Sequence, residues 1–494
     1  MIRMLTWMAA ALGGVQMMAA ATPEALGVSS KGLVAYLEAC ERELDYEHGF
    51  VLLRHGELVA EGSWAPFDTL NEPHALYSHS KSFTSTAVGL LVDAGKLDLD
   101  ERVIDILPDK APANPSENLK QLRVRDLLTM NVGAKHTDAE RDDKFGDWEK
   151  AFLGNTIDLK PGTQFRYDSG ATYTLAAIVE RRSGERLMDF LKPRLFQPLG
   201  IATAWSTTSP SGTACGGWGM NMTTRELAKF GQLYLQKGLW NGRRLLSEEW
   251  IQLATARQTW SGAIAVTGED GSDWHQGYGF QFWRCRHNCF RADGANGQYT
   301  IVMPEYDAVL SIHAGLGDMQ KEINLVWQYI LPAMAKDALP EDVPAQRVLK
   351  EKLARLAIAP VAGARDGDAA FCGRVFAFAE KSPHGIASLR LDRTADGWQA
   401  TLVTAAGEQR FPVGYGVWAR GKVVFDPGTV DYLGAIVGPQ PVAASAAVEN
   451  GELKLRALLT RGPQKLEVVF RNTPKGPTAA GALKGIGGGT LVAR

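Results

Sequence analysis

The chain has 494 residues, 45% of them hydrophobic, and a formal net charge of -2 at pH 7. That length allows about three domains, and the apolar share is ample for more than one core. Acids and bases are interspersed, so there is no basic stripe for nucleic acid to bind, and no block of charge marks out another partner.

The chain opens with MIRMLTWMAAALGGVQMMAAATPE: one arginine, an apolar run, then Ala19-Ala20-Ala21, which satisfies the small-residue rule for signal-peptidase cleavage. Residues 1–21 are read as an export signal and the mature protein as periplasmic or secreted, without stable membrane insertion. The alternative, an uncleaved anchor, is opposed by Gly13, Gly14 and Gln16, which interrupt the run a spanning helix needs. An oxidising compartment makes a Cys285–Cys289 disulfide the expectation for CRHNC, while Cys40, Cys215 and Cys372 leave an odd count whose pairing stays open. After the signal, Lys31 to Leu44 has helical spacing. HGFVLLRHGELVAEGSW then alternates and breaks at Arg54-His55-Gly56-Glu57, as a hairpin does.

Leu76 to Ala94, LYSHSKSFTSTAVGLLVDA, is a serine-dense start running into an apolar helical stretch. With a helix starting near Ser78, Ser78 and Lys81 fall on one face, one turn apart, at the positive end of the macrodipole. A hydroxyl becomes a nucleophile when something takes its proton. An amine held out of water near a helix N-terminus gives up its own proton more easily, so Lys81 is the candidate base and Ser78 the candidate nucleophile. The Ser78 N–H, unpaired in the first turn, is a candidate oxyanion donor. A serine three residues before a lysine arises often by chance. Here, however, Lys81 alone among the lysines has one, and that serine opens a long apolar helix.

From Lys96 to about Gly212 the pattern is mainly helical, with VRDLLTMNVG and YTLAAIVERRSG each closed by glycine. Thr223 to Gly238 reads as a helix whose threonines and early glutamate form a capping pattern. Strand signals return in GYGFQFW, FRADGANG, QYTIVMPE and AVLSIHAG, and an apolar helix follows from about Met319 to Ala335. Strands from both ends around a helical middle predict one sheet with helices on either side. Pro340 to about Gly367 is charged, then rich in proline, alanine and glycine. Short alternating strands such as ASLRLDR, WQATLV, GKVVFD, ELKLRALL and KLEVVF come after it. The expected organisation is a larger first domain over residues 22–338, a linker over 339–368 and an all-β domain over 369–494. Trp398 and Trp418 are assigned to its core or sheets, and GIGGG near the C-terminus to a flexible tail.

A serine–lysine pair needs a proton route to the leaving group and a second oxyanion donor. PGTQFRYDSGATY puts Tyr167 in a polar loop just ahead of a helix, as the candidate relay. FRADGANGQY places Gly294 in an edge-like strand where a missing side chain lets substrate approach the backbone, with the Ala295 N–H as second donor. A lone loop tyrosine more often only packs, and a strand glycine often marks a bulge.

Three stretches in this order, S-H-S-K at 78–81, Y-D-S at 167–169 and A-D-G at 292–294, resemble the penicillin-binding-protein and class C β-lactamase family. YSHSKSFTSTAVG, PGTQFRYDSGATY, GGWGMNMTTRELAKFGQLY and DGANGQY look most similar to its esterase and 6-aminohexanoate-dimer hydrolase branch, over roughly His48 to Ala335. The resemblance implies an α/β fold, a β-lactamase-like three-layer sandwich of antiparallel sheet between helices with a helical insertion, beside the C-terminal all-β domain. It implies Ser78 as nucleophile, Lys81 as base, Tyr167 as relay, and Ser78, Ser169, Gly294 and Ala295 as the substrate-binding and oxyanion set. No metal and no cofactor are implied. Two departures stand out. Ser169 replaces the asparagine of Y-x-N, and Ala292 replaces the lysine that in β-lactamases helps hold a substrate carboxylate. Arg291 is adjacent, but strand alternation points it to the opposite face. The expected activity is hydrolysis of carboxylic esters or small amides through a Ser78 acyl-enzyme. The alternatives are a D-Ala-D-Ala peptidase or weak β-lactamase, and a non-catalytic binding module.

Overall fold

The structure, a computed structural model, describes residues 21–136, 146–262, 271–379, 382–425, 438–484 and 489–493. The expected export signal lies outside the described residues except for Ala21. No helix among the described residues is long and apolar enough to cross a membrane.

A six-stranded antiparallel sheet is built from both ends of the first three hundred or so residues. Its order is Glu57–Ser63, Glu47–Arg54, Ala308–Ala314, Gln298–Met303, Phe290–Gly294, Trp283–Arg284. The first two strands form the expected hairpin. His55 and Gly56, with φ of 53° and 76°, make a two-residue left-handed turn that matches strand twist. Side-chain alternation splits the sheet into two faces. Ile301, Leu310 and Ile312 join Leu33 and Leu37 of the Ser30–Glu43 helix and Ile323 of the Met319–Leu325 helix in one core. Val302 and Val309 join Phe83 and Leu91 of the Ser80–Asp93 helix, Leu175 of the Ser169–Ser183 helix and Phe230 of the Thr224–Leu235 helix in the other. The last of these has the expected cap: Thr223 Oγ1 accepts from Glu226 N and Glu226 Oε2 accepts from Thr223 N. The apolar helix from Met319 continues beyond Leu325 as a wider π turn to Ile330, short of Ala335.

GYGFQFW, expected as a strand, is irregular up to Trp283. Its carbonyls serve the serine-dense helix instead of a ladder: Ser82 Oγ donates to Gln281 O and Ser85 Oγ to Phe280 O, both at 2.7 Å. Thr84 Oγ1 similarly donates to Gly216 O at 2.9 Å. The hydroxyls of this serine-dense stretch are thus buried fasteners between helix and loops.

Helix Val343–Leu353 lies within the stretch read as a linker, with Leu349 in the core that also holds the first helix. Beyond it stands a separate, curled ten-stranded β domain. Its strands alternate as expected, with Leu389 and Leu391 inward on Ser388–Arg393. Trp398 is in this core and donates Nε1 to Asp368 Oδ2, while Trp418 donates to Ile358 O. Phe378 and Ala493 bridge the two ends of the sheet. The C-terminus is therefore not a free tail, since Gly489–Val492 pairs with Gly476–Lys484. Of GIGGG itself, only Gly489 is among the described residues.

Glu47 and Glu322 meet between the sheet and the Met319–Leu325 helix, 4% and 0% exposed. Burial pushes the Glu47 carboxyl up to about 8, and burial together with the Glu47 charge raises Glu322 well above the usual range. A carboxyl whose folded value is raised contributes stability at low pH that is lost as pH climbs from its unfolded value through its folded one. Buried His48, His74 and His313 act in the opposite sense, because desolvation holds them below 6.5, and they are neutral in both states above that pH. Burial lowers Lys465 to about 8, so it offsets the carboxyls only toward the top of this range. Between about pH 6.5 and 7.5 the carboxyl pair sets the slope, and unfolding free energy should fall by on the order of 1–3 kcal/mol. Urea titrations across this window test it. Glu322→Gln should flatten the slope, and an unchanged slope in that variant would refute the assignment.

Candidate active site

Every residue from His74 to Gly89 is buried except Ser78. The α-helix starts at Ser80 rather than near Ser78, which occupies a single 3-10 turn over Tyr77–His79. The reason is Tyr77, whose φ of +48° is left-handed and breaks the helical path just before the serine. The spacing to Lys81 survives. Lys81 is 2% exposed, and its Nζ lies 3.1 Å from Ser78 Oγ, 3.1 Å from Ser169 Oγ and 2.7 Å from Gly217 O.

Ser169 comes from the first turn of the Ser169–Ser183 helix, which Asp168 caps by accepting from Gly170 N at 2.9 Å. Tyr167, half-buried just before that cap, has its ring centroid 4.9 Å from Lys81 Nζ and stacks on Trp283 at 5.7 Å. Phe165 and Tyr278 both pack edge-on against the same Trp283, so one side of the site is an aromatic wall. Gly217 is the site residue that sequence reasoning missed. It lies in GGWGMN, where a Cβ would come 2.9 Å from Ser169 O. Only the glycine doublet hinted at it, since a carbonyl acceptor has no side-chain signature.

Gly294 ends its strand in regular register with Gln298, so it is not a bulge. The space its missing side chain leaves is not open to substrate, contrary to the expectation, because a Cβ there would come 2.0 Å from Leu76 O and 3.2 Å from His79 N. Glycine is required so that the strand end can lie directly against the turn carrying Ser78. Ala295, next in the chain, is half-buried at the start of a turn in which Asn296 and Gly297 have φ of 65° and 89°.

Ala292 is 1% exposed in the core on the side of the Ser80–Asp93 helix. Arg291 faces the other way, as alternation predicted. It is fully buried, with Nε donating to Asp293 Oδ2, Nη1 to Asp273 O, both at 2.8 Å, and Nη1 to Cys285 Sγ at 3.1 Å. Burial raises the Asp293 carboxyl, with Arg291 working against the rise. Arg291 is committed to this network and does not replace the lysine absent at 292. The expected Cys285–Cys289 disulfide is not formed. Both are free thiols; Cys285 accepts from Arg291, and Cys289 donates to His287 O at 3.2 Å. Cys40, Cys215 and Cys372 are free as well. Among the described residues no group of three or more His, Cys, Asp or Glu is placed to hold a metal ion.

The Beta-lactamase family model matches residues 39–325, which contain every residue of this constellation. The chain is 28% identical over 313 residues to 6-aminohexanoate-dimer hydrolase of Paenarthrobacter ureafaciens, covering 59% of this chain and 78% of that protein. It is 28% identical over 299 residues to penicillin-binding protein 4 of Amycolatopsis lactamdurans, covering 53% and 77%. A penicillin-binding protein homologue from Caulobacter crescentus shares the fold, with a TM-score of 0.50 at 16% identity over 62% of this chain and 97% of that one. The family match spans more than half of the sequence, so the chain belongs to the β-lactamase family of serine hydrolases.

Proposed function

We propose that the protein is an exported serine hydrolase that cleaves carboxylic esters or small amides through an acyl-enzyme on Ser78. The observation that carries this reading is the placement of Lys81 Nζ 3.1 Å from the hydroxyl of the one residue between His74 and Gly89 that reaches the surface. Lys81 Nζ donates to Gly217 O, Ser169 Oγ and Ser78 Oγ; as the base in this reading it keeps the first two bonds and turns its lone pair to Ser78. In this reading the Ser78 proton passes to Lys81 as Oγ attacks the acyl carbon, and the N–H groups of Ser78 and Ala295 take the developing oxyanion. Tyr167, beside Lys81, carries a proton to the leaving alkoxide or amine, and water then releases the acyl group by the reverse route. Trp283 and its aromatic neighbours supply an apolar wall for an uncharged acyl chain.

The amide option is supported by the Paenarthrobacter relative, named for hydrolysing a dimer of 6-aminohexanoate. The relative named penicillin-binding protein 4 favours a second reading, a D-Ala-D-Ala peptidase or weak β-lactamase. The two separate at position 292. A lysine there would make a charge-assisted contact to a substrate carboxylate, worth roughly 1.5 to 3 kcal/mol, or about one to two powers of ten in rate. Buried Ala292 supplies none, and Arg291 is tied to Asp293. A fluorophosphonate probe should label Ser78 by mass mapping, and kcat/KM for p-nitrophenyl butyrate should exceed that for a chromogenic cephalosporin. A preference for the cephalosporin would favour the second reading, and a protein that neither labels nor turns over would be a binding module.

A further inference from the structure

The turn before Ser78 is held by two domains at once. Ala75 and Tyr77 are buried in the core of the C-terminal β domain, while Leu76 between them belongs to the core beneath the Ser80–Asp93 helix. Backbone bonds follow the same split: Leu76 N donates to Met220 O at 2.9 Å and Ala75 N to Arg461 O at 2.8 Å. Arg461 lies in the connection between strands Glu452–Leu459 and Lys465–Thr473, which is closed by Gly462 N to Leu459 O and Leu459 N to Gln464 O. From this connection Gln464, 1% exposed, donates Nε2 to Tyr77 Oη at 2.6 Å, across 387 residues of sequence. Tyr77 is the residue with φ of +48°, a region that bulky side chains rarely enter and that persists only where surroundings over-determine it. Ala295 also packs against the β-domain core.

We infer that Gln464, with the connection 459–465 that carries it, is a positioning element of the catalytic site. By fixing the Tyr77 ring, Gln464 holds the left-handed turn that sets the direction of Ser78 Oγ and of the Ser78 N–H. The C-terminal domain is then not an appendage to the hydrolase domain, because part of the seat of the nucleophile is built from it. Gln464 touches no reacting atom and acts through Tyr77. Loosening the turn misaligns the hydroxyl in the transition state more than it weakens binding of an ester, so the effect falls on kcat rather than KM. The inference rests on the reading of Ser78 as nucleophile.

The experiment uses the full chain with Gln464→Met, Tyr77→Phe and the double variant, on p-nitrophenyl butyrate and on fluorophosphonate labelling of Ser78. Each single change should lower kcat and the labelling rate by about five- to tenfold, the effect of one buried hydrogen bond, with KM within about twofold. Both act through one contact, so the double variant should lose little more than either single one. Gln464→Glu, which can accept from Tyr77 Oη, should recover part of the rate. Wild-type kcat in both single variants, multiplicative losses in the double variant, or a loss carried by KM would each overturn the inference. Should Gln464→Met fail to fold, Tyr77→Phe, which deletes one oxygen, decides by itself. Ser78→Ala run alongside separates the two readings. If it turns over substrate, the nucleophile assignment falls. If it is inactive while Gln464→Met and Tyr77→Phe keep wild-type kcat, only the positioning role falls.

Discussion

Ser78→Ala should lose ester turnover by about a thousandfold or more, the scale seen when a serine nucleophile is removed from a unit whose parts act together. The fold should tolerate the change. No side chain caps the 3-10 turn or the helix that follows it, so alanine forfeits no cap worth the usual ~1 kcal/mol. Lys81 loses one acceptor but keeps Ser169 Oγ and Gly217 O. The variant should therefore melt close to wild type, take up no fluorophosphonate, and still bind substrate. Turnover within tenfold of wild type, about 1.4 kcal/mol in barrier, would place the nucleophile elsewhere. The same result with Ser169→Ala as the inactive variant would point to the other hydroxyl within reach of Lys81.

The parts of this site that sequence revealed are those set by local geometry. Ser78 and Lys81 are three residues apart on one helical turn, so their approach follows from the rise and rotation of the backbone. The Thr223–Glu226 cap and the His55–Gly56 turn are legible for the same reason: the partners are neighbours in sequence. The parts that were not legible depend on long-range packing. Gly217 meets Lys81 across 136 residues through a carbonyl that every residue possesses. The alternation of GYGFQFW looked like a strand, but its carbonyls are claimed by Ser82 and Ser85 from a distant helix, a demand that no local propensity encodes. Gly294 was expected to leave room for substrate, whereas its missing side chain leaves room for backbone. That backbone, Leu76–His79, could be known only once strand and helix were docked. The helix start moved from Ser78 to Ser80 because of a strained Tyr77 whose support lies in another domain, and such local violations are expected where a site is held from outside.

Lys81→Met should lower kcat for p-nitrophenyl butyrate by two to four powers of ten, about the range for removing a positioned base, with KM changed little. Methionine suits the test because it is unbranched, comparable in length and apolar, and Lys81 is only 2% exposed, so the side chain fits a space already closed to water. The substitution leaves the Gly217 carbonyl and the Ser169 hydroxyl without their lysine donor. A stability loss of about 1–3 kcal/mol is therefore expected, and the kinetics must be taken well below the melting temperature. A base acts on the proton as the Ser78 Oγ–carbon bond forms, so its absence is felt in acylation and not in formation of the substrate complex. Fluorophosphonate labelling of Ser78 should slow in parallel with kcat, since it needs the same deprotonation but none of the ester's binding contacts. If instead KM rises while kcat and the labelling rate hold, Lys81 binds the substrate and another group takes the proton. Tyr167, with its ring 4.9 Å from Lys81 Nζ, would then be the first to substitute.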